Sequence, residues 1–289
     1  MKEFKDRVAV ITGSASGIGR GIAQIAAGEG MRLVLADVDD EGVGSLAEAL
    51  RGAGAEVHTV HTDVREAEAV DALARQALEA FGAVHLVCNN AGVLVGGNAW
   101  ERTDDDWRWV IDVNLFGVVN GLRSFVPILL NEGAPAHIVN TASLGGLMVG
   151  PYLSPYIVSK HAVVALSESV FHELAGQGAD IGVSVLCPGP IATGITRSER
   201  IRPPDRSATR GLSSPAERTF SDMLNAGVEA GMAPEEVGRI VFRSIRAGEF
   251  WIHTHPLPAD AIRDRAERVI EAQNPVYATE FSSDILDRD

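Results

Sequence analysis

The chain has 289 residues, enough for one large α/β domain or two small ones with a substantial buried core. Hydrophobic residues make up 46% and charged residues 22%, ordinary for a globular protein, and a formal net charge of −14 argues against nucleic acid or an anionic membrane surface as partner. Cys88 and Cys187 both end apolar strand-like runs, which argues against a disulfide framework and fits a reduced, cytoplasmic setting. No run of about 18 apolar residues is present, so no membrane span is expected. The charged N-terminus leads straight into a strand, so no secretory signal is expected either.

In chain order, short apolar runs alternate with longer segments of helical period. Residues 8–12, 33–36, 57–60, 86–88, 138–141, 183–187 and 250–252 read as strands: short, β-branched and apolar, the pattern of strands covered on both faces. Residues 17–29, 43–53, 66–81, 107–130 and 156–174 read as the helices between them. This alternation predicts an α/β fold with a doubly wound, mostly parallel sheet, helices on both faces and right-handed crossovers. No boundary divides residues 1–289, so a single dinucleotide-binding and catalytic domain is expected.

The first strand runs into Thr12-Gly13-Ser14-Ala15-Ser16-Gly17-Ile18-Gly19 and then a helix. Gly13 permits the tight turn, Gly17 lets backbone approach a pyrophosphate, and Gly19 allows close helix–strand packing. The helix N-terminus offers unpaired N–H groups to phosphates. Asp37, at the end of the second strand, can accept hydrogen bonds from the adenosine ribose hydroxyls and would repel a 2′-phosphate. Val38, Asp39 and Asp40 follow it and Ser16 is not basic, so NAD is predicted over NADP. Asp63, with Val64 beside it, is placed to touch the adenine edge. Asn89-Asn90-Ala91-Gly92 leaves room for the cofactor and ties neighbouring strands.

Tyr156 and Lys160 lie four apart, one turn from each other on a helical face, and Ser143 precedes Tyr156 by thirteen residues. A free tyrosine, with a pKa of about 10, is a poor base at neutral pH. A nearby ammonium and a positive nicotinamide ring both lower it. Tyr156 then takes the hydroxyl proton while hydride leaves carbon for NAD, and donates the proton in the reverse direction. Ser143 can hydrogen-bond the substrate oxygen, and Lys160 can hold the nicotinamide ribose. Asn114, inside the helix 107–130, can hold a water that links Lys160 to solvent.

Residues 197–218 hold six arginines and three prolines. They read either as a solvated loop or as a lid over the substrate, a lid segment spanning residues 194–224. The arginines read either as partners of an acidic substrate or, the preferred reading, as solvated, with only Leu212, Phe220 and Met223 facing the site. With Leu144, Leu147, Met148, Val149 and Tyr152 they suggest an apolar secondary alcohol or ketone. His253 and His255 have no carboxylate or cysteine cluster beside them, so no metal is expected. Residues 259–272 read as a helix, and residues 274–289 as an acidic tail or an arm on a neighbouring subunit.

Taken together these motifs resemble the single-domain short-chain dehydrogenase/reductase family, over roughly residues 7–252. The resemblance rests on the glycine turn, Asn89-Asn90-Ala91-Gly92, Asn114, Ser143, Tyr156 with Lys160, and Pro188-Gly189 followed by Thr193. It implies a three-layer, Rossmann-like, seven-stranded sheet and an Asn114-Ser143-Tyr156-Lys160 tetrad. It further implies that the segment from Pro188 and Gly189 through Ile191 and Thr193 contacts the nicotinamide, and that the protein is a homotetramer or homodimer. The expected activity is NAD-dependent alcohol dehydrogenase or carbonyl reductase. The alternatives are an NADP-preferring carbonyl reductase and a non-catalytic dinucleotide-binding protein. The C-terminal extension, residues 258–289, departs from the family pattern.

Overall fold

Successive side chains of a strand face opposite ways, and that alternation sorts the core into two layers. The computed structural model describes residues 1–277. In β1 (Val8–Thr12), Val8 and Val10 join one buried cluster while Ala9 and Ile11 join another. β2 (Arg32–Asp37) divides the same way, with Val34 and Ala36 opposite Leu33 and Leu35. With β3 (Val57–His61), β4 (Leu86–Asn89), β5 (Ala136–Thr141), β6 (Ile181–Cys187) and β7 (Trp251–His253) they form one seven-stranded sheet in the order β3-β2-β1-β4-β5-β6-β7. Every neighbouring pair is parallel.

Helices α1 (Gly17–Gly28), α2 (Asp40–Gly52) and α8 (Pro234–Ala247) bury Ile22, Leu46 and Phe242 on one face of the sheet. Helices α3 (Ala67–Phe81), α5 (Gly117–Glu132) and α6 (Ser154–Gly176) bury Leu73, Phe125 and Val163 on the other. The expected three-layer arrangement is therefore present, and the predicted strands match β1–β7 to within two residues at each end.

The helix expected over residues 107–130 is a continuous run of three parts. It starts earlier, as α4 (Asp104–Ile111), where Thr103 and Asp106 close a capping box. It passes through one π turn, Asp112–Phe116, before α5. By length and composition the run Asp104–Glu132 could cross a membrane, with a mean hydropathy of 1.5. Its apolarity serves the core: Trp109, Val110, Leu122, Phe125 and Leu129 are all buried.

Two helices were not expected. α7 (Pro215–Glu229) begins inside the arginine-rich segment, with Ser214 as N-cap, Pro215 in its first turn and Glu217 completing a capping box. α8 is amphipathic and lies beside α1. α9 (Ala259–Ile270) buries none of its residues.

Strand order reverses between β1 and β4, and a crevice opens there beyond the carboxyl ends of the strands. One cavity of about 1710 Å³ occupies it.

Candidate active site

The cavity begins at the turn between β1 and α1. Gly13 has φ +65°, and a Cβ there would fall 2.7 Å from Ala91 Cα. A Cβ on Gly19 would fall 2.1 Å from the Gly13 carbonyl oxygen, so a side chain at either position would push the turn open. Ser16 is the N-cap of α1 but makes no capping hydrogen bond, and no acidic residue stands in the first turn. That leaves the N-terminal amides of α1 facing the cavity as an anion cradle.

Polar side chains fix the turn against the next strands. Asn90 Nδ2 donates to the Thr12 and Gly13 carbonyls at 3.0 and 3.3 Å, and Thr12 Oγ1 accepts from Asn90 N at 3.0 Å. Asn89 Nδ2 donates to Asn140 Oδ1 at 2.9 Å, joining β4 to β5. The tying role expected of the asparagines is thus explicit in β1, β4 and β5.

At the end of β2, Asp37 accepts from the amides of Ala15, Val38 and Asp39 at 2.9, 2.8 and 3.1 Å. Burial raises its carboxyl pKa, and these three amides oppose the rise. Asp63 lines the cavity but is not free: Arg65 grips it through Nε at 2.9 Å and NH2 at 2.7 Å. Nothing in the sequence reading placed Arg65 in the site. Two residues from Asp63, it also reaches Asp205 across the cavity at 3.5 Å.

The cavity wall then takes in Ser143, Tyr156 and Lys160. Ser143 Oγ accepts from Gly145 N at 3.0 Å. A Cβ on Gly145 would stand 3.5 Å from both Ser143 Oγ and Tyr156 Cε1, so the serine hydroxyl and the phenol ring flank that glycine. Lys160 is buried, and its Nζ donates to the Thr141 carbonyl at 2.8 Å and lies 5.6 Å from the Tyr156 ring centroid. Burial lowers the Lys160 pKa to about 8. Burial raises the Tyr156 pKa, and the Ser143 hydroxyl opposes the rise. The lowering expected from Lys160 does not appear among these causes: poor solvation of the charged phenolate dominates, and the Ser143 hydroxyl is what opposes it.

Pro188, Gly189, Ile191 and Thr193 follow β6 along the same wall. Thr254 Oγ1 accepts from Gly189 N at 3.1 Å, and a Cβ on Gly189 would meet the His255 ring at 2.7 Å. His255 therefore buttresses this segment. His253 stacks on Trp251 instead.

Of the predicted site residues, Ser16, Gly17, Ile18, Val64, Ala91 and Gly92 also line the cavity, while Gly19 and Asn114 lie behind it. Asn114 is buried in the π turn, where its amide accepts from Val93 N at 2.8 Å and donates to Val93 O at 2.9 Å and to Ser159 Oγ at 3.0 Å. A π turn within an α-helix commonly marks a functional position. Gly92 faces both Asn114 Oδ1 and Lys160 Nζ: a Cβ there would stand 3.5 and 3.6 Å away.

The far wall corrects the sequence reading. Phe220 and Met223 face the cavity as expected, with Leu144, Met148, Val149 and Tyr152. Leu147 packs against the core, and Leu212 lines a separate small cavity. The arginines are not simply solvated. Arg202, 5% exposed, donates to the fully buried Asp106 at 2.6 Å and lies 4.4 Å over the Trp109 ring. Arg206 pairs with Asp112 at 3.1 Å and with Asp105 at 3.6 Å. Asp105 and Asp106 at the start of α4, which precede the helix expected from residue 107, and Asp112 in the π turn are what gather them. Tyr152 holds a left-handed φ of 63°, pinned by a 2.7 Å hydrogen bond from Gly97 N to its carbonyl, and its ring packs on Phe220. For a bulky residue that conformation is strained, and such strain gathers at functional sites. Tyr277, expected in a tail or an arm on a neighbour, packs on Gly150 and lines this chain's own cavity. The rest of the expected tail lies outside the described residues.

An uncapped helix N-terminus, a turn closed to side chains, an acidic residue at the second strand and a tyrosine–lysine pair on one wall fit a dinucleotide with a substrate beside it. Among the described residues no group of three or more His, Cys, Asp or Glu side chains gathers as a metal site.

Comparison with known proteins agrees. Residues 7–203 match the family model described as short chain dehydrogenase. The chain is 34% identical over 272 residues to a CLA biosynthesis dehydrogenase/reductase of Lactiplantibacillus plantarum, covering 93% of this chain and 95% of that protein. It is 35% identical over 268 residues to a 1-deoxy-11-beta-hydroxypentalenate dehydrogenase of Streptomyces exfoliatus, covering 92% of this chain and 89% of that protein. A crystal structure of a short chain dehydrogenase/reductase from Burkholderia phymatum, in complex with NAD, superposes with a TM-score of 0.92 at 44% identity, covering 96% of this chain and 99% of that one.

Proposed function

The chain belongs to the short-chain dehydrogenase family of oxidoreductases, and from that premise we propose that it is an NAD-dependent dehydrogenase of an apolar secondary alcohol, or a reductase of the matching ketone. The observation that carries this reading is the convergence of Ser143, Tyr156 and Lys160 on one cavity wall with the glycine turn and Asp37. The Burkholderia protein's bound NAD supports the cofactor choice, and so does a carboxylate at Asp37 that would repel a 2′-phosphate. The pentalenate relative, by its name, is a dehydrogenase of a hydroxylated compound, which supports an alcohol substrate.

When bound, NAD supplies the hydride acceptor and a positively charged ring near Tyr156. Tyr156 takes the substrate hydroxyl proton during oxidation and returns it during reduction. Ser143 Oγ hydrogen-bonds the substrate oxygen and orients it toward the phenol. Lys160, with one ammonium hydrogen held by Thr141, keeps two donors for ribose hydroxyls. Asn114 fixes the backbone at Val93 and, across Gly92, holds a water that carries protons from Lys160. Asp37 takes the adenosine ribose, and the small residues from Asn90 to Gly92 leave it room. Asp63 and Val64 flank the adenine. Pro188, Gly189, Ile191 and Thr193 shape the nicotinamide end, and Phe220, Met223, Met148 and Tyr152 give the substrate an apolar wall.

The same reading includes a homo-oligomer, a tetramer or dimer, with exposed Phe116, Val158 and Phe171 available for contact. Cys88 and Cys187 are buried free thiols, which supports a reduced, cytoplasmic setting.

The test is a thermal-stability titration with NAD and with NADP, followed by a panel of secondary alcohols read at the reduced-cofactor absorbance. Stabilisation by NAD and turnover of an apolar alcohol are expected. Selective stabilisation by NADP would overturn the role given to Asp37, and NAD binding without turnover of any alcohol or ketone would leave only a dinucleotide binder.

A further inference from the structure

The arginines of the segment after β6 meet different partners. Arg202 and Arg206 are taken by carboxylates, Asp106 with Glu199 and Asp112 with Asp105. Arg200 has no carboxylate partner among the described residues. Its NH1 donates instead to the carbonyls of Gly194 and Arg197, both at 3.1 Å, and its NH2 reaches Ser16 Oγ at 3.4 Å, although the two residues are 184 apart in sequence. Ser16 is the N-cap of α1, whose first-turn amides face the same cavity, and Arg200 lines that cavity. The two sides approach closely here: a Cβ on Gly17 would fall 3.0 Å from Thr193 Cγ2. Gly194 gives the guanidinium its room, since a Cβ there would stand 3.2 Å from Arg200 NH1.

We propose that Arg200 is a binding residue for the dinucleotide diphosphate, closing over it from the lid while the α1 amides hold it from below. This rests on the dinucleotide reading above. The physical case is one of charge. The chain carries a net −14, so a dianionic linker gains from a local full positive charge, to which the α1 N-terminus adds partial charge. Two carbonyls anchor the guanidinium on one side, which leaves Nε and part of NH2 free to meet phosphate oxygens. The carbonyl anchors also orient those donors before any ligand arrives. The position makes the lid sensitive to the cofactor: the residues from Thr193 to Arg200 contact the glycine turn on one side, and Arg202 is latched to α4 on the other.

The test compares the full-length protein with Arg200→Gln and Arg200→Lys, using calorimetric titration with NAD, NADP, ADP-ribose and adenosine. Loss of charge-assisted phosphate contacts should weaken NAD and ADP-ribose by about tenfold in Arg200→Gln, with partial recovery in Arg200→Lys. Adenosine, which has no phosphate, should bind both proteins alike, and the unliganded melting temperature should not move. Equal NAD binding by wild type and Arg200→Gln would overturn the proposal. So would a loss confined to NADP, which would place Arg200 at the 2′-phosphate, or an equal loss for adenosine, which would make its role structural. If wild type bound neither NAD nor ADP-ribose, the dinucleotide reading itself would fall.

Discussion

The catalytic wall and the lid face each other across one cavity, yet they are held by different physics. Lys160, Asn114, Asn90 and Thr12 are tied to backbone groups or to neighbouring side chains of the sheet, all but Asn90 buried. The lid is held by charge. Arg202 and Arg206 reach back about a hundred residues to Asp106 of α4 and Asp112 of the π turn. The buried Glu217 accepts from the amides of Asn98, Ser213 and Ser214 at 2.7, 2.9 and 2.8 Å. In the function proposed above, the wall positions atoms for chemistry and the lid selects and encloses what reaches them. Damage to the two should therefore separate in kinetics and in stability.

Tyr156→Phe gives the largest expected separation. Removing the proton carrier should cost about 100- to 10,000-fold in turnover while NAD still stabilises the protein, read by steady-state rates and melting temperature. Near-normal turnover would move proton transfer to another group.

Asp106→Ala strikes the lid instead. It leaves Arg202 buried beside Glu199 alone, so a loss of roughly 3 kcal/mol in unfolding free energy is expected, with a raised KM and little change in NAD affinity. Combining it with Arg202→Met should restore much of the stability, since no buried charge is then unpaired. If the double variant is no more stable than the single one, the ion pair is not what holds the lid.

Acid should separate the regions more gently. Burial lowers the pKa of His137 to about 3, and burial lowers that of His85 to about 4. Below their ordinary 6.5 the unfolded chain takes up protons that the folded sheet refuses, so stability falls as pH drops from 6.5 toward those values. For Glu217, burial alone would raise the pKa, but its hydrogen bonds hold it at about 2. Its contribution is complete above the ordinary 4.5 and is lost as pH falls from there toward 2. Melting curves at stepped pH should thus show the sheet weakening first, and Glu217→Gln should flatten only the lower part of the profile. Flattening near pH 6 would contradict this order.

The sequence read one side of this comparison much better than the other. Residues 8–12 were legible as a strand because every side chain of β1 is buried, and a run of small and β-branched residues has few other uses. The glycine turn was legible because close backbone approach admits no other residue type at Gly13 and Gly19. The lid was misread. Its arginines look the same in sequence whether they point to water or to Asp106, and the carboxylates near them in the chain, Glu199 and Asp205, say nothing of the distant ones. α7 did carry a signal: Ser214, Pro215 and Glu217 form a helix start that sits within an otherwise loop-like composition. α8 was overlooked despite its amphipathic spacing.

By itself, the sequence determined the alternation of strands and helices, the dinucleotide turn and the spacing of Ser143, Tyr156 and Lys160. Each of these depends on local geometry: side-chain alternation, backbone freedom at glycine, and one helical turn. Only the tertiary structure decided which arginine meets a distant carboxylate and which meets the glycine turn, that Arg65 reaches Asp205, that Asn114 sits behind the cavity wall, and that Tyr277 returns to the cavity. Those outcomes depend on which distant segments the sheet brings within a few ångströms, and Coulomb attraction and burial act on that distance in space, with no regard for separation along the chain.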